Sequence, residues 1–599
     1  MREMSTRSPL YRLILVAVAL AMAVMACSFG DDSSESTTNN QSATSESVTA
    51  PSDAIRISII YAPESDLYLK DVILEFNRAY AEGRNPLTGE RLKDGEKPIY
   101  VEGRSGSSGT IMQGIVNAVI APNNQNVERP TIFAPSVSHW LALVNYQSGR
   151  EIFDLTNSPA TANAPVVMAI WESRLKAIQD ANPGEQIGWS HLLEVLNNPQ
   201  GWAGYGINDG RTTVYYGHTD PFISSTALST LIAEYYASAQ ALGITERRLS
   251  MSTVQNSEVQ EGVRSIESLI RHYSSRTTEF KEYIAQGPEY LDFVALEEND
   301  LIYINQGKTQ YNPPEKLVAL YPAEGTFWHE HPFGIVQAEW VTEEQAQAAQ
   351  VFTDYVLTPA VQEKVLAAGF RPVNPNVAIG YPISLELGVD PTQPLTVLEV
   401  PEPAVITAVQ ESWSFVKKQA DVWLLIDISG SMEGEKLNQA KAAALAFLEQ
   451  TESNNRVGLM TFSTQVDIVV PIDNVESNRR NLEQAINNLQ AGGDTALYDA
   501  VIETINMTNE QSEDGDRIRA VVLLSDGEDT ASANTLNSAT VLLQGERSKQ
   551  NPIIIIPVAY GSGADVRSLS SIARASATRV QSGEPENIRS VLEIISSYF

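Results

Sequence analysis

Residues 421–432 read DVWLLIDISGSM. The apolar run Val422–Ile426 has the length of one buried strand, and it stops at Asp427-Ile428-Ser429-Gly430-Ser431-Met432. Glu433–Thr451 then sets Leu437, Ala440, Ala444, Phe447 and Leu448 on one helical stripe. Further strands are expected at Asn455–Ser463, Val466–Val470, Ala520–Leu524 and Ile553–Val558, and a last helix at about Pro585–Tyr598. The Ala520 and Ile553 runs are almost continuously apolar, as in parallel strands covered on both faces. Together they spell a doubly wound, Rossmann-like α/β sheet, whose ligands sit beyond the carboxyl ends of the strands.

Three features fall at such ends. They are Asp427, Ser429 and Ser431; Thr495 in GGDTALYD, 64 residues beyond Ser431; and Asp526 in LLSDGED, 31 residues further. Carboxylates and hydroxyls are hard oxygen donors, suited to Mg²⁺ or Mn²⁺ with a position left for water or a partner. Alone, the D-x-S-x-S run serves equally well to cap the following helix through Asp427 or Ser431. The ordered set of five favours the metal. That set resembles, in full and without departure, the metal-ion-dependent adhesion site of von Willebrand factor A domains. The resemblance covers residues 419–599. It implies that Ser429, Ser431 and Thr495 contact the metal directly. Asp427 and Asp526 then complete the shell, partly through water, and a protein partner supplies an acidic side chain to the vacant position.

Upstream, the Pro-containing stretch Tyr381–Pro403 and a short helix expected at Ala404–Lys418 read as a connector over residues 381–418. Before it, strand and helix patterns alternate again. Ile55–Tyr61 enters a core, and a helix follows with Leu69, Val72, Ile73 and Phe76 on one side. A strand at Ile99–Glu102 leads through Arg104-Ser105-Gly106-Ser107-Ser108-Gly109-Thr110 into another helix. Hydroxyls and free N–H groups at that helix start could receive an anion or carboxylate, though a simple cap reads the same residues more plainly. Ile132–Ser136, Ala164–Trp171, Tyr290–Asn299 and Leu317–Trp328 carry more strand signals, and Gly217–Thr226 enters the helix ALSTLIAEYY.

The order of GSSG, APS, GHTDP, a late acidic strand and AAGFRPVN is similar to bacterial extracellular solute-binding proteins of the sulfate, phosphate and molybdate branch. The resemblance covers residues 54–380 and implies two α/β lobes joined by a hinge. Ser107, Ser108, Ser136, Ser225 and Thr226 would line the cleft between them. One departure is Ala227, where the family often has glycine. No lysine or arginine stands beside that turn, so a bare oxyanion would be held by N–H groups alone.

The chain opens with Arg2, Arg7 and Arg12 and an uncharged apolar run, Leu13–Ala26, of 14 residues. That is too short for a membrane span and reads as a secretory signal. Val24-Met25-Ala26-Cys27 resembles a bacterial lipobox, giving a signal over residues 1–27 with Cys27 acylated; the plain alternative is an ordinary signal with an incidental cysteine. Residues 28–53 lack lysine and arginine and have little apolar content, as a disordered tether does.

The 599-residue chain has 41 Lys+Arg against 74 Asp+Glu, a formal charge of −33, and so no case for nucleic acid. Its one cysteine rules out internal disulfides, cysteine-rich zinc sites and iron–sulfur clusters. Of six histidines only His329 and His331 lie close, as HEH, where a surface loop is the plainer reading than a zinc site. Trp140, Trp171, Trp189, Trp202 and Trp328 read as core or cleft walls. No nucleophile–base motif is present, so binding rather than catalysis is expected.

The expected protein is lipid-anchored on the extracytoplasmic face of the cell membrane or envelope. It would act in metal-dependent protein interaction or adhesion, with a solute-binding-like bilobe. The alternative is the substrate receptor of an ABC importer for a small anion or solute, with the A domain as docking accessory. In either case Cys27→Ser should release the protein from the membrane fraction or leave it unprocessed, measured by fractionation after a high-salt wash. Retention of the variant in the membrane would contradict the anchor.

Overall fold

Strand Ile55–Tyr61 buries Ile57, Ile59 and Tyr61 and pairs in parallel with Ile99–Ser105 and Ile132–Ala134. Gly334–Ile335 adds an antiparallel edge. Helix Asp66–Ala81 covers this sheet with Leu69, Val72, Ile73 and Phe76, all buried as their spacing predicts. The computed structural model behind this description covers residues 48–599 except 125–126, 212–213, 275–276, 512–516, 548, 550 and 597. The signal and lipobox expected at residues 1–27, and most of the tether at 28–53, lie outside the described residues. Among the described residues no helix is long and apolar enough to cross a membrane.

A second sheet has the strand order 270–274, 216–219, 293–297, 164–171, 317–320, with Trp328–His329 pairing onto the start of Ala164–Trp171. Ala164–Trp171 is buried at every position, which explains its unbroken apolar run. The chain crosses between the two sheets near residues 160–164 and again near 329–332. Bridges Ala160↔Pro332 and Asn163↔Arg371 hold these crossings together. This is the two-lobed α/β arrangement that the strand and helix patterns predict.

The stretch 381–398, expected to be part of a connector, is instead built into the second lobe. Ala319 N–H donates to Gly388 O at 2.8 Å, and Leu398 N–H to Thr326 O at 2.9 Å. Ile383, Leu387, Val389 and Leu398 are buried. The prolines interrupt regular hydrogen bonding, but the apolar residues between them still gain from burial. The bridging helix forms at Pro403–Val416, with Pro403 in the first turn, where its missing N–H costs nothing. It buries Val405, Ile406, Val409, Trp413 and Val416.

The C-terminal sheet has the order 466–474, 456–462, 420–427, 518–525, 553–560, 581–583, parallel except for the first strand. Ala420–Asp427 is central and buried throughout. Its alternate side chains feed two cores. Val422, Leu424 and Ile426 meet helices Glu435–Gln450, Val475–Asn488 and Ile588–Ser596, and Trp423 and Leu425 meet helices Leu497–Gln511, Leu536–Arg547 and Val566–Ala575. A Cβ on Gly458 would fall 2.3 Å from the Trp423 ring, so that glycine makes room for the indole.

The seam between bilobe and C-terminal domain is specific. Arg579 lies 4.7 Å from the Tyr283 ring centre, Tyr598 Oη–H donates to Glu279 Oε2 at 3.1 Å, and Lys418 N–H donates to Tyr273 Oη at 2.9 Å. Strand Ala420–Asp427 starts at this seam and ends roughly 23 Å away, at about 3.3 Å per residue. The loops beyond Asp427 therefore point away from the bilobe. Trp413 is 3% exposed and packs on the rings of His218 and Tyr273 with centroids 5.2 and 5.4 Å away. Trp413→Ala should cost about 3–5 kcal/mol in denaturant unfolding; a loss below about 1 kcal/mol would make the helix a mere linker.

Candidate functional site

At the carboxyl end of the central strand, Asp427 and Asp526 are 0% and 2% exposed. Strand register sets Ile426 beside Leu524, so Asp427 comes level with Ser525. Ser525 Oγ–H donates to Asp427 Oδ2 at 2.7 Å and Ser429 N–H to Asp427 Oδ1 at 2.9 Å. Ser429 Oγ lies 3.0 Å from Ser431 Oγ, and Ser431 Oγ–H donates to Asp526 Oδ1 at 2.7 Å. Thr495 joins them. A Cβ on Gly527 would sit 3.7 Å from Ser431 Oγ and 4.0 Å from Thr495 Oγ1, so both hydroxyls border one point. Backbone bonds hold the loops: Gly430 N–H to Gly493 O at 3.0 Å, and Thr530 N–H to Thr495 O at 2.7 Å.

All five predicted residues are thus brought together. The helix-cap alternative fails, because helix Glu435–Gln450 has Gly434 at its N-cap with no side-chain bond. Burial pushes the Asp427 carboxyl up; Ser429 and Ser525 oppose this, and the Asp526 charge adds to it. Lys436 Nζ, 2.5 Å from Asp526 Oδ2, is a cation the sequence reading did not include. It sits on the stretch after D-x-S-x-S, as the second residue of helix Glu435–Gln450. Two dry carboxylates and three hydroxyls, all oxygen donors, fit Mg²⁺ or Mn²⁺.

The second candidate site is the cleft. Ser107, Ser108, Ser136, Ser225 and Thr226 all border one small cavity of about 40 Å³. The lobes touch here. Gly109 N–H donates to Ile223 O at 3.1 Å, and a Cβ on Gly109 would fall 1.9 Å from Phe222 O, so only glycine permits the approach. Trp140 Nε1–H donates to Ser225 Oγ at 2.9 Å, and Ser136 Oγ–H to Glu64 Oε1. Ser136 N–H also donates to Ser108 Oγ at 3.4 Å, so three of the five hydroxyls are already engaged.

Sequence reading missed the acids of this cleft: Glu64, Glu297 and Asp300 border the same cavity. It also placed HEH on a surface loop, which the structure corrects. His329 and His331 are 0% and 2% exposed, at a crossing between lobes. His329 Nδ1 is 2.7 Å from Glu297 Oε1 and His331 Nε2 is 3.2 Å from Glu297 Oε2. Burial opposes ionisation of Glu297, but the two imidazoles outweigh it and hold the carboxyl well below its ordinary range. Burial likewise opposes charge on His331, and Glu297 outweighs it, so that pKa is raised. Lys281 Nζ pairs with Asp300 Oδ1 at 2.8 Å. Each of these acids is answered locally: Glu297 by the two imidazoles, Asp300 by Lys281 and Glu64 by its retained proton.

The family model described as the von Willebrand factor type A domain matches residues 421–592. An uncharacterized protein, sll0103, of Synechocystis sp. is 33% identical over 18% of this chain and 24% of its own length. A von Willebrand factor type A structure from Catenulispora acidiphila aligns with TM-score 0.27 and 19% identity over 30% of this chain and 43% of that one. A periplasmic thiamin binding protein aligns with TM-score 0.40 and 12% identity over 62% of this chain and 98% of that one. This chain spans about a quarter or less of the length of the curated relatives it matches.

Burial and the charge of Glu297 push the Glu64 carboxyl from 4.5 up to about 8, against the pull of His331 and Ser136. Across that window the folded chain keeps a proton that the unfolded chain releases, so stability falls as pH rises from about 4.5 to 8. Glu64→Gln should flatten that fall by up to one proton, measured by urea unfolding at several pH values between 5 and 8. An unchanged slope would mean that Glu64 is ionised in the closed cleft.

Proposed function

We propose that this protein is a lipid-anchored extracytoplasmic binding protein whose A domain joins a protein partner through a divalent cation. Supporting this reading is one observation: Asp427, Ser429, Ser431, Thr495 and Asp526 converge at the end of a buried strand, on the side remote from the bilobe. Ser429, Ser431 and Thr495 would hold Mg²⁺ or Mn²⁺ directly, with Asp427 and Asp526 completing the shell. The ion would supply positive charge at a point where the chain offers only carboxylates and Lys436. An acidic side chain from the partner answers that charge. Cys27 would carry the acyl chains that hold the protein to the membrane, with residues 28–53 as the tether. The activity is binding, not catalysis.

A second reading, import receptor, draws on the five cleft residues that border one cavity. Under it the cavity's hydroxyls and its internally paired charges would hold a small polar solute, with neither sign of charge favoured.

Mg²⁺ or Mn²⁺ should raise the unfolding temperature of the purified chain, and EDTA should reverse the rise, because a ligand bound only by the native state stabilises it by mass action. Asp427→Ala should abolish the shift while leaving the fold, since the apolar strand Val422–Ile426 is untouched. No shift with either ion in the unmodified chain would defeat the adhesion-site reading.

A further inference from the structure

Next to the seam lie three buried residues that the proposed function does not use. His218 comes from strand Tyr216–Thr219, Glu234 from the middle of helix Ser225–Ala241, and Glu267 from the last position of helix Ser257–Glu267. They are 2%, 0% and 0% exposed. One ligand atom from each, a histidine nitrogen and two carboxylate oxygens, lies within 4.8 Å of the others, and His218 Nε2 is 3.9 Å from Glu267 Oε1. His218 Nε2, Glu234 Oε2 and Glu267 Oε1 have no hydrogen-bond partner among the described residues. Orphaned buried acceptors on three separate elements, all turned to one point, are costly unless something binds there.

The remaining polar atoms of the same side chains are engaged in a way that aims the orphans. His218 Nδ1 is 2.7 Å from Thr219 O, a group that only accepts, so Nδ1 carries the hydrogen and Nε2 presents its lone pair. Tyr216 Oη–H donates to Glu234 Oε1 at 3.2 Å, and Tyr273 Oη–H to Glu267 Oε2 at 2.7 Å. A carbonyl behind the imidazole and hydroxyls behind the carboxylates form the supporting shell that orients metal ligands. Lys417, close enough to lie 5.1 Å from the Tyr273 ring centre, bonds the Phe599 carbonyl instead. In the cleft, by contrast, the facing atoms of Glu297 and His331 already pair with each other.

We propose that His218, Glu234 and Glu267 bind one divalent transition-metal ion of the Zn²⁺ class, which ties three elements of the second lobe together beside its seam with the A domain. An imidazole nitrogen with two carboxylates suits Zn²⁺ and not Mg²⁺. Ligands of a tetrahedral ion at about 2.0–2.1 Å lie roughly 3.3 Å apart, so rotation of the carboxylates closes the site. The ion reaches the seam through Tyr273, which donates to Glu267 and accepts from Lys418 N–H, two residues before the strand that carries Asp427. Trp413 packs on both His218 and Tyr273 and completes the link. This ion is distinct from the one proposed at Asp427: it has a nitrogen ligand, and a water sealed in with it would take the fourth tetrahedral position.

The test uses the full chain carrying Asp427→Ala, to remove the oxygen-only site, expressed with Zn²⁺ in the medium and dialysed against EDTA. Elemental analysis should find about one Zn²⁺ per chain retained, because the ligands are sealed from solvent. The isosteric pair Glu234→Gln and Glu267→Gln should retain less than a tenth of that. X-ray absorption of the unmodified chain, which needs no variant to fold, should show imidazole and oxygen scatterers and no sulfur around the retained zinc. A zinc-free chain, equal retention by the Gln pair, or a zinc shell without imidazole would each overturn the proposal. A zinc-free chain whose Gln pair is as stable as the parent would mean that Glu234 and Glu267 share a proton instead.

Discussion

A carboxylate at the dry end of a wholly buried strand must be answered by other groups, and Asp427 sets that demand. Its two oxygens take Ser429 N–H and the Ser525 hydroxyl, and the next shell of Ser431, Thr495 and Asp526 closes around it. The loops bearing these residues are held by backbone bonds to one another, so the cluster fixes the whole edge of the sheet. The buried length of Ala420–Asp427 sets where this edge lies. One end of the strand is anchored at the seam with the bilobe, and the other presents the oxygen donors roughly 23 Å away. The donors therefore lie at the end of the domain remote from the bilobe.

The bilobe answers its own buried charges differently. Glu297 is met by two imidazoles and Asp300 by Lys281, so the crossing between lobes holds its charges in pairs. Such pairs are costly to break, because removal of one partner leaves the other buried and uncompensated. The lobes also touch at Gly109, where no side chain fits. The result is a closed cleft in which the hydroxyl turns stand among internally paired charges.

What was legible in the sequence was local or strictly ordered. Strand Ala164–Trp171 follows from its own apolar run, and helix Asp66–Ala81 from its own spacing. The five oxygen donors were found because each stands at the end of a recognisable strand or turn, in a fixed order. The cleft hydroxyls were found in the same way. Hidden were the residues whose meaning comes from a distant partner. Glu297 and HEH are about thirty residues apart, and nothing in either stretch announces the other. Glu64 precedes a helix and reads as an ordinary acidic first turn. Glu234 lies within ALSTLIAEYY, a helix whose apolar character gives no sign that its one acid points inward. Residues 381–398 read as a connector because proline masks periodicity, while their burial depends on surfaces supplied by the second lobe.

Anomalous diffraction from crystals of the chain grown with Mn²⁺ would test directly whether the atoms around the end of strand Ala420–Asp427 hold a cation. One strong peak is expected among Asp427, Ser429, Ser431, Thr495 and Asp526, with serine and threonine oxygens at about 2.1 Å from the ion. A well-ordered site without a peak, with Lys436 still bonded to Asp526 as the only cation there, would contradict it.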